Sequence, residues 1–280
     1  MSASVGVAPV RRSVGPGRWL RSVRYYVPAV AVFVAAIVAW EVIVGATNLR
    51  AFILPRPSVI VAALQENWSG GQYAILPSTQ ATLFEALGGL VIGTVAGVLV
   101  AFATARWASA RAALLPLAIA AGAVPIIAIA PLMNNWFGVL SPLSKMMMAA
   151  VLVFFPVMVN VTRGLVQVDP AALELMRSYA ASESEVLRKV RVPNALPFFF
   201  TALKLGATLS LIGAIVAEYF GGSSLVLGRI IVQSASALRF DITWAAILLG
   251  ATAGIVVYLV ISAVERAVIP WHASVRPADS

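Results

Sequence analysis

Apolar runs of 18 or more residues recur along this chain, and each is long enough to cross about 30 Å of hydrocarbon as an α-helix. Charged residues make up only 11% of the sequence, against about a quarter in an ordinary soluble domain. Taken together these features specify a polytopic, all-α membrane protein with no sizeable soluble domain. We read six transmembrane helices, at about 26–46, 79–104, 112–133, 144–165, 195–219 and 243–266. They lie within a membrane domain spanning 25–270. A basic segment (1–24) precedes it and a short tail (271–280) follows. The run from Tyr25 to Ala46 exceeds a signal-peptide core and contains Trp40 and Glu41, so it reads as a retained first span.

Orientation follows from the cations. With the N-terminus inside, the inner segments hold Arg11, Arg12, Arg18, Arg21, Arg24, Arg106, Arg111, Arg163, Arg177, Arg188, Lys189, Arg191, Arg266 and Arg276. The outer segments hold Arg50, Arg56, Lys145, Arg229 and Arg239. This 14-to-5 bias predicts that both termini are cytoplasmic in a bacterial plasma membrane. The net charge of +9 is therefore topological. No basic face with interleaved aromatics is present, so nucleic acid is excluded as a partner. There is no cysteine, and the single histidine, His272, sits in the tail, so no metal site is expected.

Gly89, Gly93 and Gly97 recur every four residues in the second span, continued by Ala101 and Ala105. This small-residue stripe is expected to let another helix approach closely. Pro116, Pro125, Pro131 and Pro156 would kink the third and fourth spans or open them onto a cavity. In the connector 47–78, Ser58 is placed to cap a short interfacial helix with Val59, Ile60, Ala63 and Leu64 on one side.

A polar island, Asp169–Pro197, interrupts this apolar pattern. Asp169-Pro170 reads as a helix start, with a side-chain acceptor at the cap and a proline where no amide is needed. Leu173, Met176 and Tyr179-Ala180 follow at helical spacing. Ser182 to Glu185 forms a capping box that opens a second helix, which Pro193 and Pro197 end or bend into the fifth span. The prediction is two short amphipathic helices with a tight joint at Ala180–Ser182, in a cytoplasmic loop over 169–193.

The island resembles the EAA loop of ATP-binding-cassette importer permeases, the inner-membrane components of binding-protein-dependent transport. Its pattern is Glu-Ala-Ala, three residues, Gly, nine residues, Ile-x-Leu-Pro. Glu174 takes the glutamate position, Leu175 and Met176 replace the alanines, Ala180 stands for the glycine, and Val190-Arg191-Val192-Pro193 closes the motif. Alanine for glycine puts the turn in question if φ is positive there. Leu54-Pro55-Arg56-Pro57-Ser58, Ala130-Pro131-Leu132, Trp136-Phe137-Gly138, Phe154-Phe155-Pro156 and Val216–Gly221 are similar to the nitrate/sulfonate/taurine-type subfamily. The resemblance covers roughly residues 50–270.

The resemblance implies a type I importer architecture. The chain would pair with a second permease copy, an ATPase dimer on the cytoplasmic face and an extracytoplasmic substrate-binding protein. ATPase coupling would fall to Glu174, Arg177, Ser178, Tyr179, Ala180, Ala181 and Ser182. Lys145, Lys189 and Lys204 are the only lysines and none follows a glycine, so the chain has no phosphate-cradling loop of its own. It is expected to bind no cofactor and to have no catalytic residue, with ATP used by the partner. Candidates for the translocation pathway are the embedded polar residues Glu85, Asn134, Asn135, Asn160 and Glu218, with Tyr219 beside the last. Lys204 is placed to snorkel from the fifth span. The resemblance implies a small organic solute, such as a heterocyclic vitamin precursor or a sulfonate, or a nitrate-like anion, and the embedded groups, two acids and one base, lean toward a neutral or weakly polar organic solute. A self-sufficient secondary transporter is the rival reading. It would be expected to show repeated halves, which this sequence lacks. An intramembrane protease would need a histidine within a span.

Overall fold

The computed structural model describes residues 17–47, 53–107, 109, 112–113, 116, 125–223 and 225–271. Most of the basic N-terminal segment, the tail with His272, and much of the expected third span lie outside them. Among the described residues the chain is helical, with no strand. Contacts divide it into two units, 1–58 and 59–280.

The first unit is built on α1 (Gly17–Ala46), whose apolar stretch Val27–Ala46 is long enough to span. Glu41 has a defined use near its end. Its carboxylate accepts the Ser58 amide at 3.0 Å and the Ser58 hydroxyl at 2.8 Å. Helix α2 (Pro57–Glu66) begins two residues earlier than a Ser58 cap would place it. Ser58 is not its cap, because an acid delivered from α1 satisfies the amide instead.

In the second unit, the first amides of α3 (Ile75–Arg106) donate to carbonyls at the end of α2. Ile75 N–H reaches Asn67 O at 2.8 Å and Leu76 N–H reaches Trp68 O at 2.9 Å. The remaining helices are α4 (Ile126–Phe137), α5 (Pro142–Val166), α6 (Pro170–Ser178), α7 (Glu183–Val186), a π-helical segment (Leu187–Arg191), α8 (Val192–Phe220), α9 (Leu227–Ser236) and α10 (Phe240–Val268). Among the described residues, five helices are long and apolar enough to cross a membrane: α1, α3, α5, the continuous Glu183–Phe220 rod, and α10.

The core is where α3, α5 and α8 pack together. Lipid is as apolar as leucine, so helices in it associate through close van der Waals fit, which small residues permit. A Cβ built on Gly89 would lie 2.4 Å from Ala149 Cβ, one on Gly93 would lie 2.5 Å from Ala150 O, and one on Gly97 would lie 2.9 Å from Phe154 O. The partner residue advances along α5 as the glycine advances along α3, so these two helices run parallel. Gly164 faces Ala195 and Gly213 faces Ala149, so α8 runs antiparallel to α5. Parallel α3 and α5 require the chain to recross between Arg106 and Pro142. Helix α4 covers the second half of that return and continues four residues past the expected end at 133.

Two features depart from the sequence reading. Pro193 and Pro197 do not end the helix: the helical stretch runs on from Glu183 through the π-helical segment Leu187–Arg191 to Phe220. Pro193 follows directly on the π-helical segment, where the regular i to i−4 bonding has already shifted and its missing amide is accommodated. The link between the last two spans also contains a helix, α9, that periodicity did not reveal. It is anchored by buried Leu227, Gly228, Ile230 and Ser234.

Candidate functional site

Helix α6 starts as its sequence dictates. Asp169 accepts the Ala171 amide at 3.0 Å, with Pro170 at the first helical position. None of its residues is buried. Glu174, Leu175 and Arg177 face outward, and Tyr179, which ends the helix, is 75% exposed. Met176 and Leu173 are half-buried and form the inner side. The Ser178 hydroxyl turns back to Leu175 O at 2.7 Å.

The joint is a Schellman turn. Ala180 N–H donates to Arg177 O at 2.9 Å, and Ala181 N–H donates to Met176 O at 3.0 Å. Such a turn needs its central residue in the left-handed region, and Ala180 has φ of +50°. The position where the resemblance expects glycine is therefore one whose conformation glycine adopts without strain. One residue on, Ser182 accepts the Glu185 amide while the Glu185 carboxylate accepts the Ser182 amide at 3.0 Å, so the capping box is complete. Lys189 adds an i,i+4 ion pair to Glu185 at 3.1 Å.

The rod is tied to the core just beyond this joint. Arg191 donates to Leu165 O at 2.9 Å, and Asn194 donates to Gly164 O at 2.7 Å and to Gln167 O at 3.0 Å. These side chains occupy carbonyls at the end of α5 that no helical amide can reach. The link from α6 through α7 to the spanning helices is thus stiff on both sides of one strained turn. Arg191 and Asn194 were not singled out from sequence. Their only signal is their place in the turn where α8 begins.

A second polar constellation lies at the opposite end of the bundle. Glu85 on α3, Lys145 on α5 and Glu218 on α8 are all at least 95% buried. Glu218 accepts the Gly228 amide of α9 at 2.5 Å, and the hydroxyl of Thr82, which itself accepts the Leu227 amide at 2.9 Å, lies beside it. Glu85 and Glu218 approach closely enough for their carboxyl groups to influence each other, and the charge of Lys145 acts on both. The Lys145 ammonium donates to the carbonyls of Val139 and Ser141. Counting Lys145 among outer-loop cations misplaced it: it lies one turn inside α5 with its ammonium folded back under the preceding loop. Four helices meet at this cluster. Gly228 has no room for a side chain, since a Cβ there would lie 2.6 Å from Glu218 Cβ.

Asn134 is buried next to this cluster and donates to Ala217 O at 3.4 Å, whereas Asn135 is exposed. Tyr219 is 38% exposed beside Glu218. Asn160 lies about four turns further along α5 and donates to Pro156 O of its own helix at 2.8 Å. Glu85, Asn134, Glu218 and Tyr219 are thus gathered at one end of the bundle, and Asn160 is not. Lys204 does not reach out of the bundle. It pairs with Glu265 of α10 at 2.8 Å, a partner that sequence analysis did not assign.

Residues 89–270 match the family of binding-protein-dependent transport system inner membrane components. A Haemophilus influenzae protein named "Probable ABC transporter permease protein" is 31% identical over 75% of this chain and 83% of its own length. The riboflavin transport system permease protein of Chloroflexus aurantiacus is 29% identical over 85% of this chain and 87% of its own. The formylaminopyrimidine transport permease protein of Halalkalibacterium halodurans is 28% identical over 86% and 94%. The matched stretch contains the hinged loop, α5, α8 and α10, and the whole glycine stripe. The chain belongs to the binding-protein-dependent transport system inner membrane component family, as a multi-pass permease subunit of an ABC importer.

Proposed function

We propose that the chain is the membrane-spanning half of an ATP-driven importer and receives mechanical work through α6. The observation that carries this is the form of the loop. A nine-residue helix, exposed along its length, is held at one strained joint and clamped onto α5 by Arg191 and Asn194. A helix with no buried residue contributes little to the stability of its own chain, so its surface is available to a partner groove. Glu174, Leu175, Arg177 and Tyr179 form the docking face. Ala180, Ala181 and Ser182 transmit its movement into the rod. The cytoplasmic ATPase dimer is the partner for this face, which puts both termini and the loop 169–193 inside the cell. A second permease copy completes the pathway, and a soluble binding protein delivers solute at the opposite end.

The substrate is a small organic solute. The relatives named for riboflavin and formylaminopyrimidine transport favour a heterocyclic vitamin or precursor, and a relative from Bacillus subtilis named for aliphatic sulfonates keeps sulfonates as the second class. Asn135 and Tyr219 are exposed polar groups near the outer end, and we assign them to the pathway. Glu85 and Glu218, buried in this conformation beside that end, belong to the same candidate set.

The test is to replace Glu174 or Tyr179 with alanine, or Ala180 with tryptophan, and to measure ATPase co-purification and solute uptake together. Loss of both supports the assignment, and normal values for both would sink it. A Tyr219→Ala change that left uptake and its KM untouched would remove that residue from the pathway.

A further inference from the structure

Between the last turn of α3 and the α6–α7 hinge is a cavity of about 660 Å³ that borders the proposed docking face at Arg177. Arg106, Arg177 and Arg191 line it, with Glu183 as the opposing acid and Phe102 and Leu187 among its apolar walls. Arg106 spends part of its charge on Glu183 at 3.2 Å. Arg177 has no acidic partner among the described residues. The cavity therefore carries a net positive charge with an apolar side.

The surface leading to it is equally specific. Val91, Val95 and Leu99 are each more than half exposed, Phe102 is 37% exposed, and Arg106 follows one turn later. These positions share one face of α3 at helical spacing. They make a continuous apolar track about 20 Å long that ends at a cluster of arginines. Such a track fits an acyl chain, and the cluster fits the phosphate that the chain carries. We propose that this cavity binds the headgroup of an anionic phospholipid, with one acyl chain lying along Val91–Phe102. Arg106, Arg177 and Arg191 hold the phosphate, and Glu183 limits the affinity. The alternative occupant, an acidic segment of the ATPase, would leave the apolar track unexplained.

The experiment uses the full chain purified with its associated subunits. Native mass spectrometry counts retained lipid after exchange into detergent containing equal phosphatidylglycerol and phosphatidylcholine. The site predicts preferential retention of phosphatidylglycerol. Arg106→Gln should weaken retention about fivefold, the scale of one basic contact at a membrane surface. Glu183→Gln, a change at an exposed position, should strengthen it, and a merely damaged fold could not produce that opposite sign. Equal retention of the two lipids, or no response to either substitution, overturns the proposal. So does displacement of phosphatidylglycerol by millimolar inorganic phosphate alone, which would mark a small-anion site. Exclusion of phosphatidylglycerol by the bound ATPase would assign the cavity to that subunit and overturn it equally.

Discussion

Replacing Ala180 with glycine should stabilise the hinge. An L-residue in the left-handed region costs about 1–2 kcal/mol, and Ala180 occupies it at φ +50° in a turn whose two hydrogen bonds are both formed. Glycine removes that cost but adds freedom to the unfolded chain, which offsets about 0.4–1 kcal/mol. The net gain is about 0.5–1 kcal/mol, or roughly two- to fivefold in the opening equilibrium of the turn. Because Ala180 is exposed, no side-chain contact is lost with the methyl. Hydrogen exchange reads this directly: the amides of residues 180 and 181, which donate to Arg177 and Met176, should exchange two- to fivefold more slowly in Ala180→Gly. Ala180→Val should accelerate them strongly, since a β-branched residue tolerates positive φ least. Faster exchange in the glycine variant, or an unchanged valine variant, would refute the strained-turn account.

Gly93→Leu should lower the melting temperature in detergent by the equivalent of about 1–3 kcal/mol, because its Cβ would lie 2.5 Å from Ala150 O. Gly70→Leu, at a position with nothing within 4 Å, should leave melting unchanged, and an equal effect from the two would contradict the packing argument. Lys145→Met should destabilise by about 1–3 kcal/mol, because the carbonyls of Val139 and Ser141 lose their ammonium donor and Glu85 and Glu218 lose its charge, and the double change Lys145→Met with Glu85→Gln should recover part of that loss. A melting temperature unaffected by Lys145→Met would show that the ammonium contributes nothing to the cluster. Lys204→Met and Glu265→Gln should couple in a double-mutant cycle, and additive effects would dissolve that pair.

The sequence made some elements legible and hid others for physical reasons. The loop was readable because its determinants are local. Asp169-Pro170, the Ser182–Glu185 box and the position of Ala180 each act within four residues, so spacing alone carries the information. The glycine stripe was readable because its consequence, close approach, depends only on the absence of side chains. Lys145 was misread because a charge count sees proximity to a span end and not a tertiary partner, and its partners are 60 and 73 residues away in sequence. Glu265 was overlooked for the same reason: near a span end it looks solvated, and only the antiparallel packing of α8 and α10 brings Lys204 to it. Pro193 was read as an end or a bend because proline breaks helix interiors, yet the helical stretch continues through it, directly after the π-helical segment. Helix α9 is amphipathic, but it is only ten residues long and lacks a capping side chain.

The central claim is that α6 lies in the cytoplasm and is covered by an ATPase. The chain has no cysteine, so Leu175→Cys introduces a single thiol on the exposed face of α6. Its reaction with a membrane-impermeant maleimide can be followed in inside-out vesicles with and without the ATPase subunits, and in intact spheroplasts. The account predicts rapid labelling in stripped inside-out vesicles, protection when the ATPase is rebound, and none in spheroplasts. Labelling from the outside, or a rate in inside-out vesicles indifferent to the ATPase, would contradict it.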